Sequence, residues 1–476
     1  EYAVQGDSIR VTLWANNRLG APVVLNNIII EAEDSSFNMP LQKNKNLIYN
    51  KSIFISPQKP ISQPYWMEQK MSEGSFNVLD QRNIGLPENN PSLKVRFQLA
   101  ISGERFEITR PIQYRFTDPV KGELYQPLVV VPPVAVSTEP SIVIFPKNQA
   151  LQKADVSIKV TAHKNFSGYS AGINSRMKTR NDSQTDTAFN LNRGISRTYL
   201  FTIDSKMPKE NEDDFVQAFT QLKKNKEEQP AYLNVTSIRY DHIPSIHYFY
   251  QDAIKVLNID LKIVGKKVGY IEGAGDKVPI ALRQMGYEVT VLKEADITAA
   301  NLRQFDAVMA GIRAYNVHDF LNDRYDILMN YVKEGGNYIV QYNTTGFAPA
   351  SRPKIGPYPF EISRGRITDE KATVTFALPE HSVLNYPNKI TEKDFQGWIQ
   401  ERSIYNADKT DISYETPLSM SDSAEEPQKG SLIIANYGKG KFVYTGLVFF
   451  RELPAGVPGA YRLLANIIGL SKKKAF

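Results

Sequence analysis

The sequence between Lys262 and Asn343 alternates short apolar runs with amphipathic stretches, and this alternation constrains the fold more than any other feature of the chain. It predicts strands over 267–272, 288–292, 305–311 and 337–342, and helices over 278–285 and 323–333. Strands that alternate with helices of this length favour a parallel sheet covered on both faces.

Glycine and proline mark the ends of these predicted helices. Pro279 lies in the first turn of the first helix, Gly286 follows its end, and a pair of glycines stops the second. Parallel sheets bind ligands at the carboxyl ends of their strands. The loops after Ile271, Gly311 and Tyr342 are therefore predicted to carry the function.

The loop Gly273-Ala-Gly-Asp276 invites a dinucleotide-binding interpretation. It lacks the third glycine of the G-x-G-x-x-G fingerprint, and Leu292-Lys-Glu294 offers no acidic ribose ligand at the end of the second strand. A tight turn that glycine permits between strand and helix is the favoured interpretation.

Composition excludes several classes of function. The chain has 476 residues, no cysteine and a net charge of +6 that is spread thinly along it, so no concentrated basic face for nucleic acid is expected. No apolar run is long enough to predict a membrane span. The absence of cysteine excludes disulfides and thiolate metal sites.

Three domains are predicted. Residues 1–133 and 134–258 show period-two alternation broken by turn signals, which indicates two all-β, immunoglobulin-like sandwiches. Within the second, residues 165–181 are predicted to form a loop and residues 213–224 a short amphipathic helix. Residues 259–476 are predicted to form an α/β domain that ends in a helix over 458–470. The chain opens on Glu1 in a strand-like run, so we expect it to be the C-terminal portion of a longer polypeptide.

Seven stretches together resemble the C-terminal half of large PIG-L/LmbE-type deacetylases of Bacteroidetes-like bacteria. They are Tyr240-Asp-His-Ile-Pro244, Gly269-Tyr-Ile-Glu-Gly-Ala-Gly-Asp276, Gly311-Ile-Arg-Ala-Tyr-Asn316, Val340-Gln-Tyr-Asn-Thr344, Gly356-Pro-Tyr-Pro-Phe360, Ile390-Thr-Glu-Lys-Asp-Phe-Gln-Gly-Trp-Ile-Gln-Glu-Arg402 and Leu453-Pro-Ala-Gly-Val-Pro-Gly-Ala-Tyr461. The resemblance implies β-sandwich modules followed by a ThuA-like domain of class I glutamine-amidotransferase type, which is flavodoxin-like.

The resemblance places catalysis outside this chain. The family's zinc-dependent de-N-acetylase domain is N-terminal, and its His-Pro-Asp-Asp signature is absent here, so no zinc ligand, cofactor or catalytic residue is assigned. Amidotransferase chemistry needs a thiolate on a sharp strand-to-helix turn. That turn is expected after Tyr342, where Asn343 or Thr344 replaces the nucleophile. His242 and His247 offer a metal too few ligands, and a His-Asp pair with Asp241 is the favoured alternative.

Polar and aromatic residues near the predicted strand ends form a candidate ligand site. Amides, arginine, carboxylate and aromatic faces are the groups that sugar recognition uses. Structural ties between loops, such as Arg313–Glu401 or Arg402–Glu401 pairs, are the alternative. The candidate ligand-binding residues are Arg313, Tyr315, Asn316, Gln341, Asn343, Trp398, Glu401 and Arg402.

The sequence thus predicts a non-catalytic accessory region of a PIG-L/LmbE-like carbohydrate de-N-acetylase that binds or positions glycan or amino sugar. A stand-alone carbohydrate-active hydrolase using the α/β cleft and a purely structural or oligomerisation scaffold remain open. Export to the periplasm or surface of a Gram-negative bacterium is expected, and the oligomeric state is open.

Overall fold

The computed structural model describes residues 2–72, 74–147, 152–175, 183–185, 189–205, 214–222, 233–345 and 354–472. These residues are mostly β-sheet, divided among many small sheets, which agrees with β-sandwich-rich domains. The chain divides into two compact units. Unit 1 comprises Glu1–Glu139, Asp155–Phe201 and Val216–Ala253, and unit 2 comprises Pro140–Ala154, Thr202–Phe215 and Ile254–Phe476. The three-domain division at 133 and 258 stays a prediction.

The strands and helices are bounded as follows. The first strands are β1 Tyr2–Val4, β2 Ser8–Asn16, β3 Val23–Ile30, β4 Glu33–Pro40, β5 Asn46–Phe54, β6 Lys94–Ile101, β7 Glu104–Pro111, β8 Gln113–Asp118, β9 Gly122–Pro127, β10 Val129–Val131, β11 Val134–Glu139, β12 Ile142–Pro146, β13 Lys153–Ala162, β14 Phe166–Ser175, β15 Ser183–Thr185 and β16 Phe189–Leu191. The later strands are β17 Ser196–Asp204, β18 Asp214–Leu222, β19 Leu233–Ile238, β20 Ile246–Gln251, β21 Ala253–Ile259, β22 Lys267–Ile271, β23 Glu288–Val291, β24 Ala307–Ala310, β25 Asn337–Gln341, β26 Glu361–Ile362, β27 Val374–Phe376, β28 Ala407–Asp408, β29 Tyr414–Glu415, β30 Leu418–Met420, β31 Leu432–Tyr437 and β32 Gly440–Thr445. The α-helices are α1 Val278–Met285, α2 Ala299–Leu302, α3 Ala314–Val317, α4 Phe320–Asp323, α5 Tyr325–Lys333, α6 Ser382–Asn385, α7 Phe449–Ala455 and α8 Pro458–Gly469.

Unit 1 begins with antiparallel sheets. β4, β3, β6 and β7 form one sheet in that order, and β2 pairs with β5 from Ser8↔Phe54 to Asn16↔Asn46. Along β2, Val11 and Leu13 are buried, while Arg10, Thr12 and Trp14 are exposed. This alternation places one face of each strand in a shared core that includes Leu25, Ile28 and Ile53.

Two stretches in the second predicted sandwich differ from the sequence expectation. The predicted loop over 165–181 contains strand β14, and the predicted helix over 213–224 contains strand β18. The two strands pair antiparallel from Tyr169↔Leu222 to Ser175↔Val216. Val216 and Ala218 are both buried, so the period of two along β18 outweighs its helical pattern. Residues 176–181, 213, 223 and 224 of these two stretches lie outside the described residues.

Unit 2 is centred on a seven-stranded sheet in the order β23-β22-β24-β25-β32-β31-β29. The first five strands in that order pair parallel, as expected for the stretch before Asn343, and β31 and β29 pair antiparallel at one side. Buried apolar side chains lie in two clusters, one containing Ile339 and the other Val340. Because successive residues of one strand belong to different clusters, both faces of the sheet are covered.

Glycine and proline residues mark the ends of helices in unit 2, as the sequence predicts. In α1, the buried Val278, Ala281, Leu282 and Met285 recur at helical spacing, and Gly286 ends the helix with a φ of 105°. The predicted helix over 323–333 is observed as the short α4 followed by α5, and the final helix ends at Gly469. Helix α1 follows β22 and helix α3 follows β24, so these helices begin just beyond the ends of two parallel strands.

Candidate functional site at the carboxyl edge of the parallel sheet

A buried tyrosine joins the ends of β22 and β25, the two strands that flank β24 in the sheet. The Tyr270 hydroxyl donates to the Asp276 carboxylate at 2.7 Å and accepts a hydrogen bond from Gln341 Nε2 at 3.0 Å. The same carboxylate accepts the backbone N–H groups of Val278 and Ile312 at 3.0 and 3.3 Å. Burial raises the pKa of Tyr270 well above its ordinary value, so the phenol stays protonated as the donor. Gln341 and Asp276 are therefore structural ties.

The glycine-rich loop after β22 is a close-packed turn. A Cβ placed on Gly273 would lie 2.0 Å from the carbonyl oxygen of Ile312, and Ala274 N–H donates to that oxygen at 2.8 Å. Gly275 has a φ of 98°, which glycine tolerates. The loop after β22 thus requires glycine for contact with the loop after β24.

A sharp strand-to-helix turn lies at Arg313. Arg313 has a left-handed backbone, with φ 57° and ψ 23°, between the end of β24 and the start of α3. Its N–H donates to the Tyr342 carbonyl at 2.8 Å. An arginine supplies no nucleophile here, and none of the described residues accepts a hydrogen bond from its exposed guanidinium.

Asn343 is a buried residue that ties the loop after β25 to the loop after β24, and residues 346–353, which follow the expected turn, lie outside the described residues. Asn343 Oδ1 accepts the N–H of Tyr315 at 2.9 Å, and its Nδ2 donates to the Gln341 carbonyl at 3.0 Å. The Tyr315 hydroxyl lies 2.9 Å from that of Tyr338 in the core. Asn316 is half-buried, and its Oδ1 accepts the N–H of Thr344 at 2.8 Å. These residues bring the two loops together without offering free groups to a sugar.

The expectation that Trp398 stacks on a sugar is wrong, because only 3% of the residue is exposed. Its ring packs against Phe395 and Phe449 at 5.4 and 6.3 Å between centroids, and its indole N–H donates to the Asp394 carbonyl at 2.9 Å. Apolar burial of the ring outweighs its use as an exposed platform. Trp398 is core.

Arg402 is also structural. It is 5% exposed, and its guanidinium donates to the carbonyls of Ala372, at 3.0 and 3.2 Å, and of Phe395. The expected pairs between Glu401 and Arg313 or Arg402 are replaced by an ion pair between Glu401 and Arg451 at 3.1 Å. A tie between loops is thus observed, with a different arginine.

Aromatic and charged side chains nevertheless meet where β25 and β32 end. The Tyr342 ring stacks on Tyr405, with centroids 5.7 Å apart and planes 7° apart, and contacts Phe450 at 5.3 Å. The Arg451 guanidinium lies 4.9 Å from the centre of the Phe450 ring. We call Arg313, Tyr342, Glu401, Tyr405, Phe450 and Arg451 the arginine–tyrosine cluster.

Electrostatics connect the members of the cluster. Burial raises the pKa of Tyr342, and the positive charges of Arg313 and Arg451 oppose that rise. Burial likewise raises the pKa of Glu401, opposed by Arg451 and Arg366. Arg313 adjoins the cluster through its backbone N–H, which donates to the Tyr342 carbonyl at 2.8 Å.

Strained backbone accompanies the cluster. Arg313, Gln400 and Tyr405 all have positive φ, of 57°, 66° and 50°, without being glycine. Gln400 adjoins Glu401, and its Oε1 accepts a hydrogen bond from Arg451. Such backbone costs about 1 kcal/mol or more per residue and concentrates at functional sites. Among the described residues, these three account for a third of the nine non-glycine residues with positive φ.

Sequence reasoning missed Tyr405, Phe450 and Arg451. Phe450 and Arg451 follow β32, the fifth parallel strand, so the strand-end rule applied to that strand would have found them. Tyr405 lies in an irregular loop and carries no comparable signal.

The histidines near residue 240 lie in unit 1 and make separate contacts. His247 Nδ1 lies 2.7 Å from Ser237 Oγ, while Asp241 pairs with Lys121 at 2.9 Å. The favoured His-Asp pair is therefore not formed by His247 and Asp241. The part of the chain that the structure describes contains no group of three His, Asp or Glu residues placed to hold a metal ion. Nor does any helix within these ranges combine the length and apolar character needed to cross a membrane.

Comparisons with known proteins give only distant likenesses. No family model matches the chain, and no curated protein matches it. Among solved structures, the β-galactosidase from Rahnella sp. R3 is 17% identical over 42% of this chain and 31% of that protein, with a TM-score of 0.26. Red sea bream transglutaminase is 8% identical over 54% and 30%, with a TM-score of 0.25. An exo-β-1,4-mannosidase from Opitutaceae bacterium strain TAV5 is 11% identical over 43% and 35%, also with a TM-score of 0.25. The chain spans about a third of each of these proteins, and TM-scores this low carry no argument about function.

Proposed function

We propose that this chain is a non-catalytic accessory region of a PIG-L/LmbE-like carbohydrate de-N-acetylase, and that it binds glycan at the arginine–tyrosine cluster. The stacked Tyr342–Tyr405 pair, flanked by Arg451 and Glu401 at the carboxyl edge of a parallel sheet, carries the proposal. Sugars are held by aromatic ring faces together with charged and amide hydrogen-bonding groups. We also assign the sheet of unit 2 to the class I glutamine-amidotransferase-like, flavodoxin-like type, and the protein to an exported compartment.

The chemistry of the edge supports a binding role over a catalytic one. Arg313 occupies the strand-to-helix turn after β24, Asn343 and Thr344 follow β25, and the sequence has no cysteine to supply an amidotransferase nucleophile. Glycoside hydrolysis generally uses two carboxylates. Glu401 is held in an ion pair with Arg451 at 3.1 Å, and the nearby carboxylates of Glu452 and Glu370 accept the backbone N–H groups of Ile399 and Gln400.

A scaffold is the second candidate function, and the burial of Trp398 and Arg402 favours it. Two of the residues expected to contact a sugar instead tie loops to the core. The two candidates differ at Tyr405, whose ring is half-buried at the outer side of the Tyr342 stack. If the chain is a scaffold, the Tyr405 ring contacts no ligand.

Isothermal titration of the intact chain with N-acetylglucosamine oligosaccharides tests the proposal. Tyr405→Ala is expected to weaken binding about 10-fold, because a ring-face contact contributes about 1 kcal/mol beyond its buried area. Tyr240→Ala, which removes a tyrosine that is 62% exposed in unit 1, should leave binding unchanged. Thermal melting of each variant controls for folding.

The same titrations distinguish the alternatives. Absence of binding to any saccharide would refute glycan binding and leave the scaffold. Release of acetate or of shorter sugars by repurified protein, lost in Glu401→Gln, would instead establish the stand-alone hydrolase.

A further inference from the structure

We propose that strand β7, at the edge of the sheet β4-β3-β6-β7 in unit 1, is a surface through which two copies of this chain pair antiparallel about a two-fold axis. The proposal does not depend on glycan binding. β7 lies at the end of the strand order, so one side of its backbone has no neighbouring strand in the part of the chain that the structure describes. All eight of its residues, from Glu104 to Pro111, are exposed.

Two apolar residues of β7 continue the core face of the sheet but are not covered. Phe106 lies opposite Leu99 of β6, and Ile108 lies opposite Phe97. Leu99 belongs to the core of unit 1, and Phe97 packs against that core. Residues directly opposite each other in a sheet project to the same face. Phe106 and Ile108 therefore lie on the core face, yet they are 50% and 36% exposed. A partner strand that extends the sheet beyond β7 would cover them.

The sequence of β7 is self-complementary on this face. The residues that alternate along it are Glu104, Phe106, Ile108 and Arg110. If a second copy pairs antiparallel with Glu107 opposite Glu107, then Glu104 lies opposite Arg110 and Phe106 lies opposite Ile108, each twice. Opposite charges and apolar pairs across two strands both stabilise a sheet. A shift by two residues in either direction would place Glu104 opposite Ile108, or Phe106 opposite Arg110, so the pattern favours one register.

The other face of β7 is compatible with this register. It carries Arg105, Glu107 and Thr109. Glu107 would meet its counterpart at the two-fold axis, but its carboxylate already lies 3.8 Å from the Arg96 guanidinium and accepts a hydrogen bond from Gln98 at 3.4 Å. Arg105 of each copy would also lie diagonally across from Glu107 of the other. Because β7 carries two acidic and two basic side chains, two copies of it do not repel each other through net charge.

Strand β4, at the opposite edge of the sheet, is less suited to such pairing. Its pairing with β3 contains a register shift, Asn38 within it has a φ of 48°, and it ends at Pro40. Bulges and proline protect an edge strand from further pairing. β6 and β7, by contrast, pair without a shift over all eight residues of β7. A regular, exposed edge of this kind is what a symmetric dimer can extend.

Sedimentation velocity of the intact chain tests the proposal. Eight paired residues form a contact smaller than a standard protein interface, so we expect a reversible monomer–dimer equilibrium that shifts over about 1–100 µM protein. Amide hydrogen exchange in peptides covering β7 should be slower at the upper end of this range than at the lower end, and exchange in β4 should not change. A chain that stays monomeric throughout, or a dimer without protection of β7, would overturn the proposal.

Charge-reversal variants test the partner and the register. Glu104→Arg and Arg110→Glu each place like charges opposite one another at both ends of the paired strands, so each should weaken self-association at least about 10-fold. Mixed in equal amounts, the two variants should dimerise with each other, because every arginine then faces a glutamate. Glu88→Arg is the matched control, since Glu88 is exposed in unit 1 outside β7, and it should dimerise as the unchanged chain does.

The outcomes of these mixtures are decisive once thermal melting shows that each variant is folded. If Glu104→Arg and Arg110→Glu dimerise as strongly as the unchanged chain, the dimer uses another surface and the proposal fails. If each variant alone is monomeric and the mixture is monomeric too, the two-fold antiparallel pairing is wrong. Restored dimerisation in the mixture alone is the result that the structure predicts.

Discussion

Replacement of Trp398 by alanine should destabilise unit 2 by about 3–5 kcal/mol, the usual cost of deleting a fully buried large aromatic side chain. The ring is 3% exposed, and its removal also leaves the Asp394 carbonyl without the indole donor. The Arg402 guanidinium lies 5.8 Å from the centre of the Trp398 ring and would lose that packing. These losses all act on stability and none acts on the arginine–tyrosine cluster directly.

Differential scanning calorimetry of the intact chain is the appropriate assay, because two units can unfold separately and local transitions must be resolved. Trp14→Ala is the control, since Trp14 is 53% exposed in unit 1. Its removal should cost no more than about 1 kcal/mol. A loss below about 1 kcal/mol for Trp398→Ala, or loss of saccharide binding with unchanged stability, would refute the assignment of Trp398 to the core.

Two further substitutions test the structural ties of unit 2. Glu452 is fully buried, and burial raises its pKa to about 8. Because the folded pKa exceeds the unfolded one, the stability contributed by the protonated carboxyl should fall by up to about 1.4 kcal/mol per pH unit between about pH 4.5 and 8. Glu452→Gln should flatten that fall in urea titrations, and an unchanged slope would assign it to other groups. Gly273→Ala should destabilise the edge, because its Cβ would lie 2.0 Å from the Ile312 carbonyl oxygen. An unchanged melting temperature in that variant would mean that the loop relaxes freely.

The parallel part of the sheet was predictable because local signals agreed with tertiary structure. Helix α1 has the predicted bounds, since Pro279, the spacing of its buried residues and Gly286 all specify the same segment. Strands β22 and β25 are each one residue shorter than predicted, and β24 is shorter by three. Differences of this size at strand ends are expected from patterns alone.

Segments in the second predicted sandwich were mispredicted where local and long-range signals conflict. The sequence Asp214–Leu222 carries both a helical and an alternating pattern, and pairing with β14 selects the strand. That partner is rich in glycine, serine and asparagine, so it gave a loop signal of its own. Neither segment on its own indicates that β14 and β18 pair with each other.

The sequence predicted where some candidate residues lie and misplaced others. Arg313 lies at the carboxyl edge that the strand-end rule indicates, whereas Trp398 and Arg402 are buried. Residue type alone does not distinguish a buried aromatic from an exposed one. The pairing of Glu401 with Arg451 joins residues distant in sequence, so only the fold could show it.

The most direct test of saccharide binding at the arginine–tyrosine cluster is arginine footprinting with phenylglyoxal, read by mass spectrometry in the presence and absence of a saturating N-acetylglucosamine oligosaccharide. The account predicts that the ligand protects Arg313, which is exposed in the free protein, and leaves Arg283, which is also exposed, unprotected. Equal modification of both arginines with and without a ligand shown to bind would place the saccharide elsewhere and contradict the central claim.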